Sequence, residues 1–150
     1  MKMIIALHHQ FGRMLNLLQA PALLAARCYV AWIFFSAGLA KLKDWESTLF
    51  LFQYEYQVPL LSPELAAYAG TAGEIILPIL LVLGLFGRVA GIGISFVNVV
   101  AVLSLSDIPP AAYNLHLVWG AVALPIIIWG AGVLSLDHLL EKKFLNKTET

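Results

Sequence analysis

A long stretch almost without charge is the feature that most limits how this chain can fold. Residues 47–136 contain only five charged side chains in ninety positions, namely Glu55, Glu64, Glu74, Arg88 and Asp107. Over the whole chain 12% of residues are charged and 61% hydrophobic, whereas soluble domains have about 25% and 45–50%. The sequence therefore predicts an integral membrane protein that crosses the bilayer several times.

Four apolar segments are long enough to span the membrane as helices, because a hydrocarbon core of about 30 Å needs roughly 20 helical residues. These predicted spans are residues 22–42, 65–86, 89–105 and 113–134. Pro21 is typical of a helix start, and Gly87-Arg88 is short enough to be a tight turn between two spans. The predicted fold is all-α, a polytopic membrane four-helix bundle formed by a single domain over residues 1–150.

Three segments lie outside these spans. Apolar residues recur every three or four positions in residues 1–20, which favours an amphipathic helix on the membrane interface; an extension packed on the bundle is the alternative. Asp44 resembles a helix N-cap, and the aromatic stretch after it predicts a short interfacial helix followed by an extended segment. Residues 137–150 form a polar tail.

The distribution of Lys and Arg predicts the orientation of the chain, because cytoplasmic flanks carry an excess of both. One side of the predicted topology holds Lys2, Arg13, Arg88, Lys142, Lys143 and Lys147, and the other holds only Lys41 and Lys43. Both termini are therefore predicted in the cytoplasm. The lipid bilayer is the expected partner, and the zero net charge argues against nucleic acid.

Five of the polar side chains within the predicted spans stand out. A charge near the bilayer centre costs about 2.5–3.5 kcal/mol, so each is a candidate functional residue. Each lies on a helix stripe that also carries small residues, which predicts that it points into the bundle. The candidates are Arg27, Lys41, Glu74, Asn98 and His116.

Depth along the helices predicts how these groups meet. Glu74 lies close to the midplane, and Arg27 is predicted to reach it from the cytoplasmic side as a candidate catalytic pair. Lys41, Asn98 and His116 are candidate ligand-binding residues, with Asp107 near Lys41 and His116 at the outer surface.

Structural alternatives remain open for most of these groups. Arg27 can snorkel to the headgroups, and Lys41 can anchor the helix at the interface. Glu74 is either paired or kept protonated, and Asn98 can join two helices. Cys28, the single cysteine, is interpreted as a small core residue, and the sequence carries no metal site or cofactor motif.

Several motifs resemble the DoxX family of small four-helix bacterial membrane proteins, from about Leu23 to Leu139. They are Ala26-Arg27, Phe35-Ser36-Ala37-Gly38-Leu39-Ala40-Lys41-Leu42, Gly73-Glu74, Leu83-Gly84-Leu85-Phe86-Gly87-Arg88 and the segment around His116. The Phe52–Pro59 loop and Leu134–Leu139 resemble a subgroup found beside genes for copper-responsive modified peptides.

The resemblance implies an inner-membrane protein associated with a quinone- or thiol-linked redox process, with a membrane or periplasmic redox partner. A quinone is the cofactor that this implies, with Arg27 or Lys41 as donor and Glu74 as proton acceptor. The alternative is a non-enzymatic membrane anchor, assembly partner or small-molecule conduit. Four short spans leave room for only a small cavity, which favours a homo-oligomer or larger complex.

Overall fold

The computed structural model describes residues 1–145 and shows an all-helical chain. No β-strand occurs in this part of the chain, which confirms the predicted fold class. The helices are α1 (Lys2–Lys43), α2 (Trp45–Tyr54), α3 (Pro63–Leu83), α4 (Gly87–Leu103), α5 (Pro110–Trp129) and α6 (Leu136–Leu145). Lys147, which the orientation argument used, lies outside the described residues.

Four of these helices form a closed ring. α1 packs on α3, α3 on α4, α4 on α5, and α5 returns to α1. Among the described residues α1, α3 and α5 are long and apolar enough to cross a membrane, whereas α4 is a shorter apolar helix of 17 residues. The fold is therefore that of a membrane protein with several apolar helices, arranged as a four-helix bundle.

The first helix differs from its prediction. The sequence predicts a separate interfacial helix and a new start at Pro21, but α1 runs unbroken for 42 residues with Pro21 inside it. A proline removes only one backbone donor, and the residues on either side of it continue the helix. The first half of α1 extends beyond the bundle, where its apolar side chains are exposed.

The turn between α3 and α4 lies earlier than predicted. Gly84 ends α3 in the left-handed conformation at φ 65°, and Phe86, also at positive φ, precedes α4. Gly87-Arg88, predicted to be the turn, is instead the first turn of α4. The glycine after the last helical turn is the residue that can adopt this conformation without a steric cost, so Gly84 ends the helix.

The bundle has two distinct ends. The turn end carries the α3–α4 turn and residues 130–135, because Gly130 at φ 80° ends α5 earlier than the predicted residue 134. The lid end carries residues 45–62, which we call the lid. Asp44, just before the lid, is the N-cap of α2 as predicted. Its carboxylate accepts hydrogen bonds from the Ser47 backbone N at 3.0 Å and the Ser47 hydroxyl at 2.7 Å.

The predicted helix stripes face the bundle interior. Ala31 and Phe34 of α1 are buried, as are Leu81 of α3 and Ala123 of α5, and together they belong to the main core cluster. Arg27, Glu74 and Asn98 are buried on the same stripes. The interpretation of Cys28 as a core residue is wrong, because its side chain is exposed on the outer surface of α1. It lies one position from the inward stripe.

Candidate functional site

A cavity of about 450 Å³ lies inside the lid end of the bundle. Its walls come from α1, α3, α4 and α5, and the lid contributes Phe52, Tyr56, Val58 and Leu61. Most of the wall is aliphatic or aromatic, and the polar side chains in it are Lys41, Tyr56, Glu74, Ser104, His116 and Trp119. An apolar pocket with a few converging polar groups is typical of a small-molecule site.

Lys41 and Glu74 form an ion pair in the wall of this cavity. Lys41 Nζ lies 2.6 Å from Glu74 Oε2 and 2.8 Å from Oε1, so one ammonium donates to both carboxylate oxygens. The Glu74 side chain is 10% exposed and that of Lys41 is 22% exposed. The lysine therefore turns inward from the end of α1 and does not serve as a free interface anchor.

A close contact between α1 and α3 brings Lys41 within reach of Glu74. A Cβ atom at Gly38 would lie 3.0 Å from Glu74 Cβ and 2.8 Å from Ile75 Cδ1. The absence of a side chain at position 38 lets α1 approach α3 at the level of Glu74, as small residues do between membrane helices. Lys41 follows one turn later on the same stripe, so its long side chain spans the remaining distance.

Asn98 and His116 form the second polar pair. Asn98 Nδ2 donates to the His116 backbone carbonyl at 2.9 Å, and His116 Nδ1 lies 2.7 Å from Asn98 Oδ1. The amide thus joins α4 to α5, as the helix-joining alternative for Asn98 proposed, while the imidazole lines the cavity. Both residues were candidate ligand contacts, and His116 is the one that reaches the cavity wall.

Aromatic side chains complete the walls. Trp119 packs edge-on against His116 and Phe34, with ring centroids 4.8 Å and 5.9 Å away, and its Nε1–H has no hydrogen-bond partner within the described residues. Tyr56 enters from the lid, where burial raises the pKa of its hydroxyl and the negative charge of Glu74 raises it further. The Tyr56 hydroxyl therefore stays neutral at physiological pH.

The lid is fastened to the far side of the cavity mouth. Tyr56 forms an isolated antiparallel bridge with Leu105, and the Gln57 backbone N donates to the Ser104 carbonyl at 2.7 Å. Thr48, buried within the lid, donates to the Lys41 carbonyl at 3.0 Å. The lid is thus tied both to the end of α1 that carries Lys41 and to the end of α4.

The predicted pairing of Arg27 with Glu74 is wrong. Arg27 is fully buried at the turn end, where its Nη2 donates to the Leu134 carbonyl at 2.6 Å. Gly38 is level with Glu74, and Arg27 lies eleven residues earlier on α1, which corresponds to about 16 Å along the helix axis. The arginine therefore cannot reach the carboxylate.

Arg27 instead belongs to a polar junction at the turn end. It packs against Gly84 so closely that a Cβ there would overlap Arg27 Nη1. Next to it, Asp137 accepts hydrogen bonds from the backbone N of Phe86 and of Gly87, both at 2.8 Å. The Asp137 carboxylate thus caps the start of α4. Because Asp137 belongs to α6, this contact ties the last described helix to the bundle.

Asp107 does not join the cavity. It is exposed, and no ion pair connects it with Lys41 or His116 in residues 1–145. Sequence reasoning also missed Trp119 and Tyr56 as wall residues. Trp119 lies three positions after His116 on one helix face, which would have placed both together, while nothing in the sequence predicts that the lid folds inward.

Comparison with known proteins decides the family. The sequence model of the DoxX family matches residues 22–107, which is more than half of the chain and includes α3 and α4 entirely. The chain belongs to the DoxX family. Lys41, Glu74 and Asn98 lie inside the matched region, whereas His116 and Trp119 lie beyond it.

A relative from Haemophilus influenzae, described as an uncharacterized protein, is 28% identical over 136 residues. The alignment covers 85% of this chain and 88% of the relative, so the similarity extends over most of both chains. No solved structure matches the chain.

Proposed function

We propose that this DoxX protein binds a small lipophilic quinone in the cavity at the lid end and serves as a membrane subunit of a redox process. The observation that carries the proposal is the Lys41–Glu74 ion pair in the wall of a mainly apolar cavity. A paired charge inside a membrane is expensive to maintain, and such groups mark substrate or proton pathways. In this proposal the protein lies in the bacterial inner membrane with both termini in the cytoplasm.

The size and lining of the cavity fit a quinone. Ligand pockets usually have volumes of about 300–1,000 Å³ and a mainly hydrophobic wall, and the cavity of about 450 Å³ lies within this range. The aromatic rings of Phe34, Phe52 and Trp119 can pack on a flat ring, and the aliphatic side chains between them suit a hydrocarbon tail.

The polar groups of the wall suit the polar atoms of a quinone. The Lys41 ammonium can donate a hydrogen bond to a carbonyl oxygen while it remains paired with Glu74, because it carries three protons. Glu74 can take up a proton in this low-dielectric site and pass it to that oxygen when the quinone is reduced, and water supplies the second proton. The electrons come from a membrane or periplasmic partner in this proposal, since no cofactor motif occurs in the sequence.

Binding of a short-chain benzoquinone to the protein in lipid nanodiscs tests the proposal. We expect saturable binding to the wild type that Lys41→Met weakens at least tenfold, because the quinone carbonyl loses its hydrogen-bond donor. Lys43→Met is the matched control, because Lys43 lies in the same last turn of α1 but is exposed outside the cavity. Gly70→Leu fills the cavity without altering its charges, and it should also abolish binding, whereas the outward-facing Ala72→Leu should not.

The outcomes separate specific binding from partition into lipid. Equal binding by the wild type, Lys41→Met and Gly70→Leu would show that the quinone dissolves in the bilayer and would contradict the proposal. Loss of binding with both cavity variants but with neither control supports it.

The second candidate function is that of a non-enzymatic assembly partner. A role beside a copper-responsive peptide system would belong to this candidate function. Its support is the first half of α1, which extends from the bundle with exposed Phe11, Met14 and Leu18. In this case Lys41–Glu74 only holds α1 against α3. The exchanged variant Lys41→Glu with Glu74→Lys separates the two candidate functions. Function that the single substitutions remove and the exchange restores favours a structural pair. Loss of function in a folded exchanged protein favours a chemical role for the two side chains.

A further inference from the structure

We infer that Asn98 fixes His116 with a bare Nε2, so that the cavity prefers the hydroxyl-bearing, reduced form of its ligand. This inference rests on the proposed quinone site and specifies which ligand form that site selects. The basis of the inference is the two hydrogen bonds between Asn98 and His116, which have no part in the proposed contacts of Lys41 and Glu74 with the quinone.

The Asn98 amide has only one orientation that satisfies both contacts. The His116 backbone carbonyl can only accept a hydrogen bond, so the group that faces it at 2.9 Å must be the Asn98 NH₂. The amide oxygen then faces His116 Nδ1 at 2.7 Å, and this oxygen can only accept. Nδ1 must therefore carry the proton, which leaves Nε2 of a neutral imidazole as a bare acceptor.

The position of the His116 ring makes the Nε2 acceptor available to a ligand in the cavity. Asn98 is buried between α4 and α5 and holds the Nδ1 edge, while the imidazole lines the cavity wall. Within residues 1–145 Nε2 makes no hydrogen bond. A quinone carbonyl cannot bond to it, because both are acceptors, whereas the hydroxyl of a hydroquinone or another phenol can donate to it.

The other groups of the wall agree with a hydroxyl ligand. A hydroxyl also accepts a hydrogen bond, and the Trp119 Nε1–H beside His116 has no partner in the described chain. Glu74 offers carboxylate oxygens as further acceptors in the same cavity. A hydroquinone, with a hydroxyl on each side of its ring, can donate hydrogen bonds to both Glu74 and His116.

The binding test compares a short-chain benzoquinone with its hydroquinone under anaerobic conditions, using the full-length protein in nanodiscs. One neutral hydrogen bond corresponds to roughly a five- to tenfold change in affinity, so we expect the wild type to bind the hydroquinone that much more tightly. His116→Phe keeps an aromatic ring but loses Nε2, and the ratio of the two dissociation constants should fall to about one. His9→Phe, on the exposed part of α1, should retain the wild-type ratio.

A second measurement does not depend on the ligand. ¹⁵N NMR of histidine-labelled protein distinguishes protonated from bare ring nitrogens, and the substitutions His8→Gln, His9→Gln and His138→Gln leave His116 as the single labelled histidine. We expect a protonated Nδ1 and a bare Nε2. A neutral His116 with its proton on Nε2 would overturn the inference, and this result does not require that His116→Phe folds.

The binding outcomes also separate this inference from the proposed function. Equal affinities of the wild type for both forms, or a preference for the quinone, would overturn the inference and leave the quinone site standing. A wild type that binds neither form would contradict the proposed function, and the inference with it.

Discussion

At the scale of single residues, the charged side chains inside the bundle form two separate groups, one at each end. Lys41 and Glu74 neutralise each other at the lid end, and Arg27 is held by the Leu134 carbonyl at the turn end. Removing one partner of a buried pair leaves an uncompensated charge, which costs far more than replacing both. The two groups should therefore respond differently to substitution.

A double-mutant cycle tests the lid-end pair. We expect Lys41→Met and Glu74→Gln each to reduce the free energy of unfolding by about 2–4 kcal/mol, because each leaves its partner unpaired. The double variant should lose less than the sum of the two, by at least about 1 kcal/mol. Reversible unfolding in mixed micelles measures this coupling, and strictly additive losses would show that the two side chains do not interact.

Gly84 is the residue on which the turn end depends most. We expect Gly84→Ala to reduce the free energy of unfolding by at least about 2 kcal/mol, since φ is 65° and a Cβ would overlap Arg27 Nη1. Gly12→Ala is the matched control, because no atom lies within 4 Å of its added Cβ and alanine favours a helix. A Gly84→Ala protein as stable as Gly12→Ala would contradict the packing of Arg27 against the turn.

Single positions were predictable from the sequence to different degrees. The stripe that carries Arg27 and Lys41 follows from helical periodicity, and the structure places it inward. Which cation meets Glu74 depends on the axial register between α1 and α3, which is set by the close contact at Gly38. Periodicity gives a face but no register, so the sequence led to the wrong partner.

At the scale of helices and loops, both ends of the bundle are fastened by contacts between residues distant in the chain. Asp137 caps α4 across a separation of 50 residues, and the lid is bridged to the end of α4 by Tyr56 and Leu105. Such contacts leave no local sequence signal. The Asp44 cap was predictable because its partner Ser47 is only three residues away.

Removal of the Asp137 carboxylate tests the turn-end contact. We expect Asp137→Ala to lower the free energy of unfolding by about 1 kcal/mol and to speed amide hydrogen exchange at Phe86 and Gly87, whose N–H groups lose their acceptor. Glu141→Ala, on the exposed part of α6, serves as the control. Unchanged exchange at both amides would contradict the cap.

A cross-link between the lid and α4 tests whether the lid covers the cavity mouth. Directly opposed residues of an antiparallel bridge lie close enough for a disulfide, so we expect Tyr56→Cys with Leu105→Cys, in a Cys28→Ser background, to cross-link on oxidation. The oxidised protein should exchange bound quinone at least tenfold more slowly than the same protein after reduction. Equal exchange rates in both states would show that the ligand enters by another route.

At the scale of the whole molecule, the ring of α1, α3, α4 and α5 combines a turn end packed around Arg27 with a hollow lid end. The all-helical membrane bundle was predictable because the low charge of residues 47–136 permits little else. The cavity was not, because it arises where the inward lid residues Phe52 and Tyr56 meet Lys41, Glu74 and His116. That convergence is a property of the packed helices.

The location of a bound quinone tests the central claim most directly. A benzoquinone carrying a photoreactive group is cross-linked to the protein in nanodiscs, with and without excess unlabelled short-chain quinone, and the labelled peptides are mapped. We expect competed labels in residues 33–41, 52–61, 66–74, 96–105 and 116–119, which contain the cavity wall. Labels confined to the outer groove of Cys28, Trp32, Ile79 and Val82, or unaffected by competitor, would contradict an internal quinone site.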